Sequence, residues 1–156
     1  MHLQAMQALT ERILTKTRKK WFHTYPLFCP FKPVGSADIE RVESGVGTPL
    51  PNDLKVWLLS AGYGDVDEAL SFRHDWFHTI EQGRLKGSVI FAQDDLGNFY
   101  AYSPSEQNIH FFARSSSEYA TVAPSFGAFM EELERRDFRL GEWMDGLALA
   151  PYDRDA

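Results

Sequence analysis

Apolar residues along the chain change their period several times, and each change marks an element. Leu3, Met6, Leu9, Ile13 and Leu14 recur at the spacing of one helix face, predicting an amphipathic helix over 2–18. Arg18-Lys19-Lys20 would close it, where positive charge suits the negative end of a helix. Residues 21–35 break the pattern. Pro26, Pro30 and Pro33 bar a regular helix or a central strand. An extended segment follows, with its aromatics packed on the body or, alternatively, displayed to a partner. Ser36 is a good N-cap, with Asp38 in the first turn. Ile39, Val42 and Val46 then share a face until Gly45 or Gly47. Pro51 opens the next helix, whose buried stripe is Leu54, Trp57, Leu58 and Ala61, and Gly62 and Gly64 stop it.

Residues 65–87 carry the weakest pattern. Ala69–Phe72 reads as a short strand and His74–His78 as a helical turn or loop. Residues 88–93, 98–103 and 108–113 are rich in Val, Ile, Phe and Tyr, with turn residues between them, and predict an antiparallel meander. Glu118–Ala123 adds a fourth strand. Ser125 caps a last helix whose buried face is Phe126, Phe129, Met130 and Leu133. In the tail, Trp143, Met144, Leu147 and Leu149 are expected to dock and Tyr152–Ala156 to fray.

Length and composition agree with one folded unit. The 156 residues, 44% hydrophobic and 24% charged, suffice to bury roughly two thirds of the unfolded surface. The expected division is an N-terminal extension (1–35), a core (36–137) and a tail (138–156). Charge is unevenly spread: +5 over residues 1–35 and −11 over the rest, for a net −6. An acidic body makes the chain as a whole a poor candidate for direct nucleic-acid binding, and suits a basic partner. The lone Cys29 permits neither an internal disulfide nor a cysteine-based zinc site. No stretch approaches a membrane span, and Met1-His2-Leu3-Gln4 lacks a signal-peptide pattern. The expected location is cytoplasmic.

Catalytic motifs are sparse. His74 and His78 would share a helix face, but no third ligand accompanies them, so no metal site is assigned. Asp94-Asp95-Leu96-Gly97-Asn98 lacks the alternating oxygens of a calcium loop and reads as a hairpin turn. Cys29, between Phe28 and Pro30, has no basic neighbour to activate it and reads as a packed small residue. Phosphate-binding, dinucleotide and nucleophile-elbow motifs are absent. No cofactor is expected.

Two segments carry a resemblance. Ile39–Gly64 is a short helix, then Leu50-Pro51-Asn52-Asp53, then an apolar helix ending in Gly62-Tyr63-Gly64. Phe91–Tyr100 runs from a strand through an Asp/Gly/Asn turn into an aromatic strand, and Ser125-Phe126-Gly127-Ala128-Phe129 opens the closing helix. In order and spacing they resemble the SUKH superfamily of Smi/Knr-like domains, over residues 36–137. The resemblance implies a single α+β domain, with one antiparallel sheet of about four to six strands and helices packed around it. It also implies a role. Bacterial relatives are non-catalytic immunity proteins that neutralise toxins of contact-dependent or polymorphic toxin systems, many of which deliver nucleases. Eukaryotic relatives are adaptors.

The expected partner is therefore a protein, a co-encoded toxin domain, with no membrane or direct nucleic-acid partner. A nuclease site is electropositive, so an acidic inhibitor can imitate its substrate. The candidate contact residues are Asp65, Asp67, Glu68, Trp76, Asp94, Asp95 and Tyr100, aromatics with carboxylates around them. The alternatives are a general interaction or regulatory adaptor without a toxin partner, and a carboxylate- or metal-dependent enzyme using these acids with His74 and His78.

Overall fold

The computed structural model describes residues 2–155. Helix α1 (Leu3–Thr15) buries Met6, Leu9 and Ile13, as its spacing predicts, and packs on α3 (Asn52–Ala61) and α4 (Phe126–Arg135). It ends earlier than expected because Lys16 is already extended. Arg18-Lys19-Lys20 do not close the helix. They lie in strand β1 (Thr17–Lys20), paired with β2 (His23–Pro26) in a hairpin separate from the main sheet.

Strand β3 (Phe28–Lys32) follows and holds the sheet edge, the one place where Pro30 costs no ladder bond. Within residues 21–35, Leu27, Phe28 and Val34 are buried, whereas Trp21, Phe22 and Phe31 are exposed. Cys29 is exposed on the edge strand and is not the packed residue expected.

Helix α2 (Ser36–Val46) is capped by Gly35 rather than Ser36, and the Asp38 carboxylate accepts the Gly35 N–H at 2.8 Å. Gly47 ends it in a left-handed conformation. Pro51 is the N-cap of α3. Asp53, buried in its first turn, accepts from Leu54 N–H at 2.9 Å and from Gly127 N–H at 2.7 Å. One carboxylate thus serves the free N–H groups of two helices and pins α3 to α4. Gly62 and Gly64 follow where β4 (Tyr63–Val66) crosses β3. A Cβ at Gly62 would stand 2.5 Å from the Lys32 carbonyl oxygen, and one at Gly64 2.5 Å from that of Cys29. Only glycine allows that approach.

The remaining strands are β5 (Leu70–Phe72), β6 (His78–Thr79), β7 (Val89–Asp94), β8 (Phe99–Tyr102), β9 (Ile109–Ala113), β10 (Glu118–Ala123) and β11 (Ala150–Pro151). The main sheet is antiparallel throughout, in the order β11-β10-β9-β8-β7-β5-β4-β3, with β6 also on β7. The α+β class with helices around one principal sheet matches expectation. The sheet reaches nine strands because, besides Ala69–Phe72 and the four strands expected at 88–123, the Pro-rich segment, Tyr63–Val66 and the two-residue strands β6 and β11 join it.

One face of the sheet meets the helices. Phe72, Phe91 and Phe126 form edge-on and stacked contacts at 5.5–6.2 Å, and Trp57 sits between Phe28 and Phe72 at 5.5 and 5.6 Å. Burying side chains of this size contributes about 1.5–3 kcal/mol each. Helix α5 (Leu140–Asp145) docks the tail through Leu140, Trp143 and Met144, with Trp143 stacked on Phe129 at 5.2 Å. Leu147 and Leu149 pack on the core as well. The tail beyond stays attached. β11 pairs with β10, and the Tyr152 hydroxyl donates to the Gln82 carbonyl at 2.5 Å. Ala156, at the end of the stretch expected to fray, lies outside the described residues.

Candidate functional site

Strand register defines the face of the sheet that the helices leave open. Cys29 pairs with Asp65, Asp65 with Ser71, Ser71 with Gln93, Gln93 with Phe99, Phe99 with Phe112 and Phe112 with Tyr119. Directly paired residues of antiparallel strands point the same way. These seven side chains therefore form one row across the sheet, polar at the β3 edge and aromatic at the β10 side. A parallel row comprises His78, Ile90, Ala101, His110 and Thr121. Two segments partly cover the aromatic side. Residues 78–82 and the tail at Tyr152 border a groove of about 360 Å³ with a floor of Ile90, Phe99, Ala101 and Phe112. Tyr152 meets Phe112 edge-on at 4.9 Å and Tyr119 at 5.6 Å. His110 is buried between the strands with Nδ1 3.0 Å from the Thr121 hydroxyl, and burial lowers its pKa.

The candidate contact residues occupy three different environments. Asp65 and Trp76 come together around Arg73. That guanidinium lies 3.0 Å from the Asp65 carboxylate, 5.9 Å from the Trp76 ring centre and 4.6 Å from that of the exposed Phe31. Arg73 and Phe31 were not singled out in the sequence, because no local pattern announces a cation stacked between residues from three elements.

Asp67, Glu68, Asp94 and Asp95 gather at one end of the sheet. Asp95 N–H donates to the Ala69 carbonyl at 3.0 Å, holding the two turns side by side. Asp67 and Glu68 both take left-handed conformations (φ 50° and 56°). Asp67 is already engaged by Arg18 at 3.5 Å. Asp94 is engaged four times over. It accepts from Leu96 N–H and Asn98 N–H at 3.0 Å, from the Asn98 amide at 3.2 Å and from the Tyr100 hydroxyl at 3.0 Å. Glu68 and Asp95 are the exposed members.

Tyr100 corrects the candidate set. Its side chain is fully buried, its ring packs on Phe111 and Phe129 at 5.5 and 5.6 Å, and its hydroxyl is held by Asp94. It lies on the helix side of the sheet, one residue out of phase with the open row, and offers nothing to a partner. The signal for the open face was present in Phe99 and Phe112, since aromatics on both sides of β8 and β9 leave one set uncovered by a single helix layer.

His74 and His78 do not share a helix. His74 lies on a single 3-10 turn (His74–Trp76), 2.6 Å from the Asp75 carboxylate, and His78 on β6. Among the described residues no group of three or more His, Cys, Asp or Glu is placed to hold a metal. A second cleft of about 390 Å³ is bordered by Lys32, Asp38, Arg41, Tyr63 and His74. Asp38 is held below the ordinary carboxylate range, first by the Gly35 N–H and then by Arg41. Burial pushes the Tyr63 hydroxyl up to about 12. Neither group is poised to exchange a proton at neutral pH. Among the described residues no helix is long and apolar enough to cross a membrane.

Comparison with known proteins adds one finding. Searches of the curated proteins and of the solved structures return no match. A model of the SMI1 / KNR4 family (SUKH-1) matches residues 33–132, from the end of β3 to α4. That stretch contains the Leu-Pro-Asn-Asp helix start with its buried Asp53, the Gly62-Tyr63-Gly64 crossing and the Asp94 turn, and the chain belongs to the SMI1 / KNR4 family (SUKH-1).

Proposed function

We propose that the protein is a non-catalytic immunity protein that binds a co-encoded toxin domain and neutralises it by occupying its active site or substrate channel. The observation that carries this reading is the open sheet face of a family member, with a row running from Asp65 to Tyr119 and the exposed Glu68 and Asp95 in the turns at one end of the sheet. A broad face of mixed aromatic and charged side chains suits a protein surface, and carboxylates at its margin suit the electropositive site of a nuclease. Asp65 and Trp76, set around Arg73, supply a further anchor. Occlusion needs no cofactor and no shifted acid–base pair.

The direct test is a cell-free pull-down and titration against the toxin domain encoded beside this gene. A stoichiometric complex that abolishes toxin activity is expected. No complex at micromolar protein would sink the pairing and leave the adaptor reading in its place. Exchanging Glu68 and Asp95 for Lys is expected to slow association at low salt by about tenfold and to have little effect at high salt.

A further inference from the structure

The β1–β2 hairpin ends in a two-residue loop, Trp21-Phe22, between the paired Lys20 and His23. Trp21 is 87% exposed and Phe22 99% exposed. Trp21 also holds φ +60°, at the first position of a tight hairpin turn, where glycine is the favoured residue. A bulky side chain there costs free energy, and at this exposure little packing against the described residues offsets it. Two large aromatics are therefore displayed at a strained turn that a glycine would make more easily.

The base of the hairpin, in contrast, is fastened. The Arg18 guanidinium donates to the Asp137 carboxylate at 2.9 Å and to the Asp137 carbonyl at 2.7 Å. Lys16 and Arg18 lie over the Phe138 ring at 5.4 and 5.8 Å. Leu27 N–H donates to the Lys16 carbonyl at 3.0 Å. A knob on a fixed stem loses little conformational freedom when it binds.

The surroundings decide what the knob fits. Arg12 and Arg18 are consumed by Glu134, Asp67 and Asp137. Lys19 and Lys20 are exposed beside the tip, with no ion-pair partner among the described residues. Two free lysines are too few for a nucleic-acid track, and the −11 charge of residues 36–156 opposes any extended polyanion, an anionic bilayer included. Two aromatics with a small basic collar match instead an apolar pocket edged by carboxylates on a protein.

We infer that the Trp21-Phe22 tip is a docking element for a protein partner, inserting into an apolar pocket with an acidic rim on the toxin domain. This rests on the proposed toxin-binding function and adds a contact point in the β1–β2 hairpin, which is separate from the main sheet. The matched family region begins at residue 33, and the tip lies outside it.

The test compares the wild type with Trp21→Gly/Phe22→Ser and with Lys19→Glu/Lys20→Glu, all titrated against the toxin domain encoded beside the gene. Trp21→Gly keeps the turn, and unchanged circular dichroism with a urea midpoint no lower than that of the wild type verifies that the body is intact. The aromatic variant is expected to bind about tenfold to thirtyfold more weakly, chiefly through faster dissociation. The lysine variant is expected to associate more slowly at low salt. Equal affinity of wild type and aromatic variant would overturn the docking role while leaving toxin binding in place. No complex with any of the proteins would overturn both. Trp emission is also followed with vesicles containing phosphatidylserine and with a single-stranded oligonucleotide. A blue shift with either, lost in Trp21→Phe and absent with the toxin, would reassign the tip to that ligand and overturn the inference.

Discussion

Two hairpin turns of this protein are built in opposite ways. The β7–β8 turn, Asp94–Asn98, satisfies itself. One carboxylate accepts from two backbone N–H groups, one amide and one buried hydroxyl, and Gly97 supplies the positive φ the turn needs. The β1–β2 turn does the reverse. It has no glycine, and among the described residues its two aromatics are almost uncovered. Most of the polar chemistry in the first is spent on holding the fold, so its conspicuous acids say less about a partner than their number implies. The aromatic chemistry in the second is spent on nothing inside the molecule. A residue that holds up its own surroundings is thereby explained; an unexplained one points outward.

The contrast is sharpest at Asp94. Asp94→Ala is expected to lower the unfolding free energy by about 2–3 kcal/mol, because it strips four donors and leaves the buried Tyr100 hydroxyl without a partner. Urea denaturation reads this, and a loss under about 0.5 kcal/mol would mean that the turn does not hold itself. Next in size, Arg18→Ala should free the hairpin stem at a cost of about 1 kcal/mol or less, since its ion pairs are partly exposed. Trypsin cleavage after Lys19 and Lys20 should accelerate well before the body is cut. Trp21→Gly is expected to act in the opposite direction, raising stability by about 0.5–1 kcal/mol as relief of the left-handed strain outweighs the extra freedom of the unfolded glycine. A destabilisation would show that the tip is packed after all. The smallest effect belongs to Asp95→Lys, within about 0.5 kcal/mol of wild type, since the side chain is exposed.

The stem should also respond to acid. The hydrogen bond from Arg18 holds the Asp137 carboxyl below its ordinary value of 3.8. A depressed carboxylate contributes fully above the unfolded pKa and loses its contribution as pH falls through the folded one. Amide protection in β1 and β2, corrected for intrinsic exchange, should therefore hold at pH 5 and fall below about pH 3.8, before the β7–β8 ladder loosens. Loss of both together would show that the hairpin is not an independent unit.

Helical spacing made α1 to α4 legible in the sequence, and runs rich in Val, Ile, Phe and Tyr between turn residues did the same for β7 to β9, with β10 read at Glu118–Ala123. Ala69–Phe72 reads as a short strand and the structure has β5 there, whereas β6 and β11 span only two residues each and show no period. They exist because a neighbouring strand offers its free edge, which is a property of the assembled sheet. The hairpin at 17–26 was misread at its first half because a basic run after an amphipathic helix looks like a helix end. The candidate site divided along the same line. Asp67, Glu68 and Asp95 fall in turns, as their residue types favour, while Asp65 lies on β4 and Asp94 ends β7; whether each acid is free or engaged depended on Arg18, Arg73, Asn98 and Tyr100.

The sequence by itself determined the family, the α+β class and the positions of the turns, since these follow from local periods, caps and glycines whose physics acts within a few residues. Only the tertiary structure decided which face of the sheet stays open, that Tyr100 belongs to the core while Phe99 does not, and that Trp21 and Phe22 find no cover. Those outcomes depend on strand register and on which helix reaches which face, so they turn on contacts between residues far apart in the chain.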